Sequence, residues 1–130
     1  MAREKKITLQ TPFMWFDKRV ERVVLKEPSG RLYMVLGEPR YVIQVDGGGY
    51  FHERDEVIAK YIAELLVMED GRPFEGGADA TLTAMSLADV LAVKAGLLDF
   101  FQDAQRAIIA ARSNGSSSDG DAQPLASAAA

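Results

Sequence analysis

A chain of 130 residues, 48% of them hydrophobic, is the right size for one domain around one modest core. Its formal net charge of −4 and pI near 5.0 give no electrostatic reason to approach a phosphate backbone, so no nucleic-acid partner is expected. The absence of cysteine excludes disulfides, thiolate nucleophiles and Cys-based zinc sites, and no window approaches the roughly 18 apolar residues of a membrane span. The charged start, Arg3-Glu4-Lys5-Lys6, lacks the apolar block of a signal peptide, and a soluble, cytoplasmic protein without a membrane partner is expected.

The predicted elements begin at Ile7. Ile7, Leu9, Thr11, Phe13 and Trp15 recur at the two-residue period of a strand, and Pro12 makes that strand an edge or a broken one. Val20 to Lys26 is a second β-branched run, so a hairpin turning at Asp17-Lys18-Arg19 and covering about 7–26 is the economical reading. After Glu27-Pro28-Ser29-Gly30, residues Arg31 to Leu36 fit one or two helical turns stopped by Gly37 and Pro39, with a strand as the alternative. Tyr41 to Val45 and Tyr50-Phe51-His52 flank Asp46-Gly47-Gly48-Gly49, a pattern for a smaller hairpin.

From Asp55 the period changes. Val57, Ile58, Tyr61, Ile62, Leu65 and Leu66 paint one side of a helix, with Asp55 as N-cap and an end near Asp70-Gly71, so the helix is expected over about 55–69. Arg72 to Asp79 reads as a loop. Ser86 opens a second long helix, expected over about 86–111, with Asp89 in the capping-box position and Leu87, Val90, Leu91, Leu97, Leu98, Phe101 and Ile108 at helical spacing. Gly96 in its interior marks a close crossing against another element. Residues 113–130, rich in Ser, Gly and Ala, read as a flexible tail. The expected fold is therefore α+β: one domain over residues 1–112, with an N-terminal β-hairpin, a mainly helical body and two long helices.

Chemistry-bearing residues are sparse. His52 is the single histidine, and beside a turn it reads as a surface residue rather than a general base. Asp99 and Asp103 lie four apart on one helix, too few oxygens for a hard cation, and Gly47-Gly48-Gly49 lacks the Lys-Ser/Thr of a P-loop. No catalytic, metal or cofactor residue is assigned, and no cofactor is expected. The aromatic run Phe13-Met14-Trp15-Phe16 must place side chains on both faces of its strand, one for the core and the other for the core or a partner. On the last helix Phe100 stands about 100° from Phe101 and about 160° from Leu98, so Leu98 and Phe101 are expected in the core and Phe100 either on a partner or under the hairpin. Phe13, Trp15, Leu97 and Phe100 are the candidate partner-binding residues.

The order of these features resembles phage tail assembly chaperones over roughly Lys6 to Ala110. The resemblance rests on Val23-Val24-Leu25-Lys26-Glu27-Pro28-Ser29 at the end of a strand pair, Leu36-Gly37-Glu38-Pro39, an apolar amphipathic helix, and Leu87-Ala88-Asp89 leading to Leu97-Leu98-Asp99-Phe100-Phe101. It implies a non-catalytic protein that binds the tape measure protein and tail tube subunits during tail assembly, in the host cytoplasm; self-association is a separate expectation, from the apolar belt Leu97 to Phe101 of the last helix. Many members are extended by a frameshift near the C-terminus. The alternative reading is a structural tail or baseplate component that stays in the virion.

Overall fold

A computed structural model describes residues 3–119, and the chain divides into two compact units, Met1–Phe100 and Phe101–Ala130. The fold is mixed α+β. In the first unit β1 (Glu4–Trp15) and β2 (Lys18–Lys26) form the N-terminal hairpin, followed by α1 (Gly30–Leu36), β3 (Arg40–Val45), β4 (Gly48–Glu53), α2 (Asp55–Leu65), β5 (Leu66–Met68), α3 (Ala78–Leu82) and the start of α4 (Leu87–Asp119). Two sheets result: a three-stranded antiparallel one in the order β1-β2-β5, and the separate pair β3-β4.

β1 is both an edge strand and a broken one, because its register to β2 shifts between Thr8 and Phe13, where Pro12 removes a donor. The turn is tighter than expected. Phe16 and Asp17 both hold positive φ, 49° and 66°, the backbone that a two-residue hairpin loop demands, so Lys18 and Arg19 belong to β2. A non-glycine residue in this conformation costs about 1–2 kcal/mol, partly offset here by the edge-to-face contact of the Phe16 and Trp15 rings at 5.4 Å.

Val23, Val24 and Leu25 of β2 are all buried, although consecutive strand residues face opposite ways, so both sheet faces are covered where β2 pairs with β5. α4 crosses one of them. A Cβ on Gly96 would lie 3.4–3.7 Å from side-chain atoms of Lys5, Leu25 and Ile7, which is the close approach that the glycine foretold.

α2 buries Val57, Ile58, Tyr61, Ile62 and Leu65 as its period requires. It ends earlier than expected, at Leu65. Leu66, Val67 and Met68 leave the helix and pair with Leu25, Val24 and Val23, because a short apolar run serves a strand as well as a helix. Its N-cap is Arg54 rather than Asp55, and no side chain caps it. The expected loop 72–79 ends in the short helix α3, whose Thr81 is buried and donates its hydroxyl to the Gly77 carbonyl at 3.1 Å.

α4 starts as read. The Asp89 amide donates to Ser86 Oγ at 3.2 Å, but the Asp89 carboxylate turns away from its own helix and accepts the Gln10 and Thr11 amides, at 2.7 and 3.0 Å, and the Ser86 hydroxyl at 2.9 Å. The amides that the β1 bulge withdraws from its ladder are thus satisfied by a buried carboxylate 79 residues away in sequence for Gln10 and 78 for Thr11. Burial works to raise the Asp89 pKa, yet these three donors outweigh it and hold the carboxyl below its ordinary value. In the second unit α4 continues to Asp119, so residues 113–119 are helical rather than a tail, and 120–130 lie outside the described residues. Arg106 pairs with Asp103 at 2.9 Å there, and Ile108 and Ile109 are exposed.

Candidate partner-binding surface

The four residues singled out from sequence do not form one surface. Leu97 and Phe100 are 0% and 2% exposed, which corrects their assignment as partner-binding residues and leaves, of the two readings of Phe100, the one under the hairpin. The buried arc of α4 runs through Val93, Leu97, Leu98 and Phe100 with Gly96 beside them, so Leu98 is in the core as expected and Phe101 lies off its centre. Leu87, Leu91 and Ile108, expected in the stripe, are exposed, and Phe101 is only half-buried. The reason is the sheet: Gly96 sets the face that meets it, and Phe100, one turn on, falls beneath Arg3 and Lys5, whose cations sit 5.4 and 4.7 Å from its ring centre. Phe13 and Trp15 are half-buried on β1. Their rings meet edge-to-face at 6.3 Å, and the Trp15 indole N–H donates to the Glu75 carbonyl at 2.9 Å, while Met14 and Phe16 are exposed.

The most apolar exposed element lies elsewhere, in β3 and β4. Its root is firmly held. Pro39 is buried and its carbonyl accepts the Arg54 amide at 2.8 Å; the Tyr61 hydroxyl donates to the Gly37 carbonyl and the Tyr33 hydroxyl to Glu38 Oε2, both at 2.7 Å. Burial, with the nearby Tyr33 and Glu38, pushes the Tyr61 phenol up to about 12, and the hydrogen bond to Glu38 raises Tyr33. On the other strand Lys94 of α4 pairs with Glu53 at 2.6 Å.

Beyond this root the hairpin is solvated. Arg40, Tyr41, Val42, Ile43, Gln44 and Val45 pair in turn with Glu53, His52, Phe51, Tyr50, Gly49 and Gly48, and Gly47 takes φ 89° in the connecting turn. One face therefore carries Tyr41, Ile43, Val45, Tyr50 and His52; the other carries Arg40, Val42, Gln44, Phe51 and Glu53. Tyr41, Val42, Val45, Tyr50 and Phe51 are between 43% and 61% exposed, spread over both faces. Met34 and Val35 of the preceding α1 are more exposed still. The side chains that steady the hairpin are its own: Arg40 lies over the Phe51 ring at 4.3 Å, and the Tyr41 and His52 rings meet at 5.2 Å.

No family model, curated protein or solved structure matches this chain.

The hairpin exposes apolar side chains on both of its faces. Sequence reading located the hairpin but not its exposure; the available signal was the lack of alternation in Tyr41-Val42-Ile43 and Tyr50-Phe51, which only two covered faces could bury. His52 is exposed and meets the Tyr41 ring at a tilt, and among the described residues no group of three or more His, Asp or Glu side chains is placed to hold a metal. A depression of about 340 Å³ beside β2 and β5 is lined by Arg19, Glu21, Arg22, Glu69 and Asp70. Its charges largely pair with each other, as in Arg19–Glu21 at 2.7 Å and Arg22–Glu69 at 3.6 Å, leaving no field of one sign. Among the described residues no helix is long and apolar enough to cross a membrane.

Proposed function

We propose that this protein works by binding other proteins, without catalysis, and that it is a tail assembly chaperone of a tailed phage or prophage that engages the tape measure protein and tail tube subunits in the host cytoplasm. The observation that carries the binding reading is the β3-β4 hairpin, fixed at its root and apolar on both exposed faces. A fully buried large apolar side chain contributes about 1.5–3 kcal/mol, so covering five half-exposed ones offers a partner several kcal/mol before association costs are met. The phage assignment is supported by the order of motifs from Leu25-Lys26-Glu27-Pro28 to Phe101. An aggregation-prone, helical client such as a tape measure segment would meet these faces with its own apolar stripe.

Co-expression tests the proposal: the chain should keep a tape measure segment soluble and co-purify with it, and a segment equally soluble without the chain would refute it. The open edges of β3 and β4 also suit a component that extends a neighbouring sheet and stays in the virion. Mass spectrometry of purified particles separates the two, since abundant peptides from this chain are expected only of the structural component.

A further inference from the structure

The two sheets treat their open edges differently. β1, outermost in the three-stranded sheet, is guarded by Glu4, Lys5 and Lys6 at one end and by Pro12 and the bulge in its middle. β3 has no such guard. From Tyr41 to Val45 it holds no charge, proline or glycine; it pairs with β4 on one side, and on the other, alternate backbone N–H and C=O groups face no strand among the described residues.

The sequence of β3 specifies an occupant for that edge. Arg40-Tyr41-Val42-Ile43-Gln44-Val45, continued by the first turn residue Asp46, has a cation at one end, an anion at the other and Ile43 at its centre. Laid antiparallel against a second copy with Ile43 opposite Ile43, Tyr41 faces Val45, Val42 faces Gln44, and Arg40 faces Asp46 at both ends of the ladder. Even positions meet even ones, so outward-facing backbone groups meet their counterparts, and the arrangement closes on a two-fold axis. Aromatic and β-branched side chains fall opposite each other, a favourable cross-strand pairing. Centring the pair on Val42 or Gln44 loses both ion pairs, and in-register parallel pairing sets like charges side by side. β4, which runs from two glycines to Glu53, offers no such complementarity.

We infer that β3 pairs with β3 of a second copy of this chain, joining two hairpins into a four-stranded sheet in the order β4-β3-β3-β4, with an Arg40–Asp46 ion pair at each end. This goes beyond client binding, because it uses the edge of the hairpin and leaves its faces open, and it holds whatever the client is.

Sedimentation velocity of the full chain over a range of concentrations should show a monomer–dimer equilibrium. Arg40→Asp and Asp46→Arg should each weaken it by about tenfold or more, since each sets two like-charged pairs opposite each other, and the double charge swap should restore it. The chain has no native cysteine, which allows a check of register. Ile43→Cys should give a covalent dimer on mild oxidation, whereas Val45→Cys should not, because its thiols would lie roughly 13 Å apart, four residues at ~3.3 Å each. A chain that stays monomeric, a dimer indifferent to both charge reversals, or a Val45→Cys variant that crosslinks as readily as Ile43→Cys would overturn the inference.

Discussion

Among the described residues two hairpins, both rich in apolar side chains, meet opposite fates. In β1-β2, the consecutive Val23, Val24 and Leu25 are buried because a third strand extends the sheet, α4 crosses one face at Gly96, and the Asp89 carboxylate gathers the amides that the β1 bulge releases. In β3-β4, Tyr41, Val42, Tyr50 and Phe51 are equally apolar but have neither a third strand nor a covering helix among the described residues. An isolated two-stranded hairpin is marginal in water. This one persists by its root, where Tyr61, Arg54 and Lys94 hold the chain on either side. Burial is therefore decided by what is brought over a strand, and the uncovered hairpin is the one available to a partner.

The contrast breaks most readily at Asp89. Asp89→Ala should lower unfolding free energy by about 2–3 kcal/mol, since it removes a buried carboxylate that accepts two part-buried amides, as urea denaturation would measure. pH reports the same group. Its folded-state pKa lies below the ordinary carboxylate value near 3.9, so its contribution is present above that value and lost as pH falls through the folded pKa. Asp89→Asn should flatten the acid limb of the stability profile, and an unchanged limb would show that the carboxylate is not what holds the bulge.

Gly96 gives the next largest effect. Gly96→Val should destabilise by about 1–3 kcal/mol through overpacking against Leu25 and Ile7. Gly96→Ala should be neutral to stabilising by up to about 1 kcal/mol, because its Cβ would meet its neighbours at ordinary contact distance, 3.4–3.7 Å, while helix propensity improves. A thermal melt of each variant distinguishes a tight crossing from a loose one.

These residues also show how far the sequence could be read. The hairpin at 7–26, the small hairpin around Asp46-Gly47, the α2 stripe, the Ser86 cap and the Gly96 crossing all follow from local period or backbone chemistry. What was not legible depended on long-range partners. Leu66-Val67-Met68 becomes a strand because β2 offers an edge, Asp89 reaches across to β1 instead of completing its capping box, and Phe100 is buried because the sheet lies on that side of α4. Of the candidate surface, sequence reading offered the aromatic run of β1 and the α4 belt, whereas the exposed apolar faces are on β3-β4. Tyr41-Val42-Ile43 held that information, since no helix or strand was left over to cover it.

A smaller effect sharpens the role of the hairpin root. Tyr61→Phe removes the hydrogen bond to the Gly37 carbonyl and should cost about 1 kcal/mol. Amide exchange in β3 and β4 should quicken more than in β1 and β2; equal acceleration would mean the root does not restrain the hairpin selectively. The same hydroxyl predicts an alkaline limb, with stability intact below pH ~10 and lost as pH rises through about 12.

The smallest stability effect belongs to the hairpin faces, and there the central claim is tested most directly. Val45→Ser combined with Tyr50→Ser changes two half-exposed side chains that share one face and take no part in the ring contacts that steady the hairpin. Thermal melting should place this variant within about 0.5 kcal/mol of the parent, as is usual for surface substitutions, while its affinity for a tape measure segment, measured by titration calorimetry, falls at least about tenfold. A variant that melts as early as Asp89→Ala yet binds the segment as tightly as the parent would show that the hairpin serves the fold and not the partner.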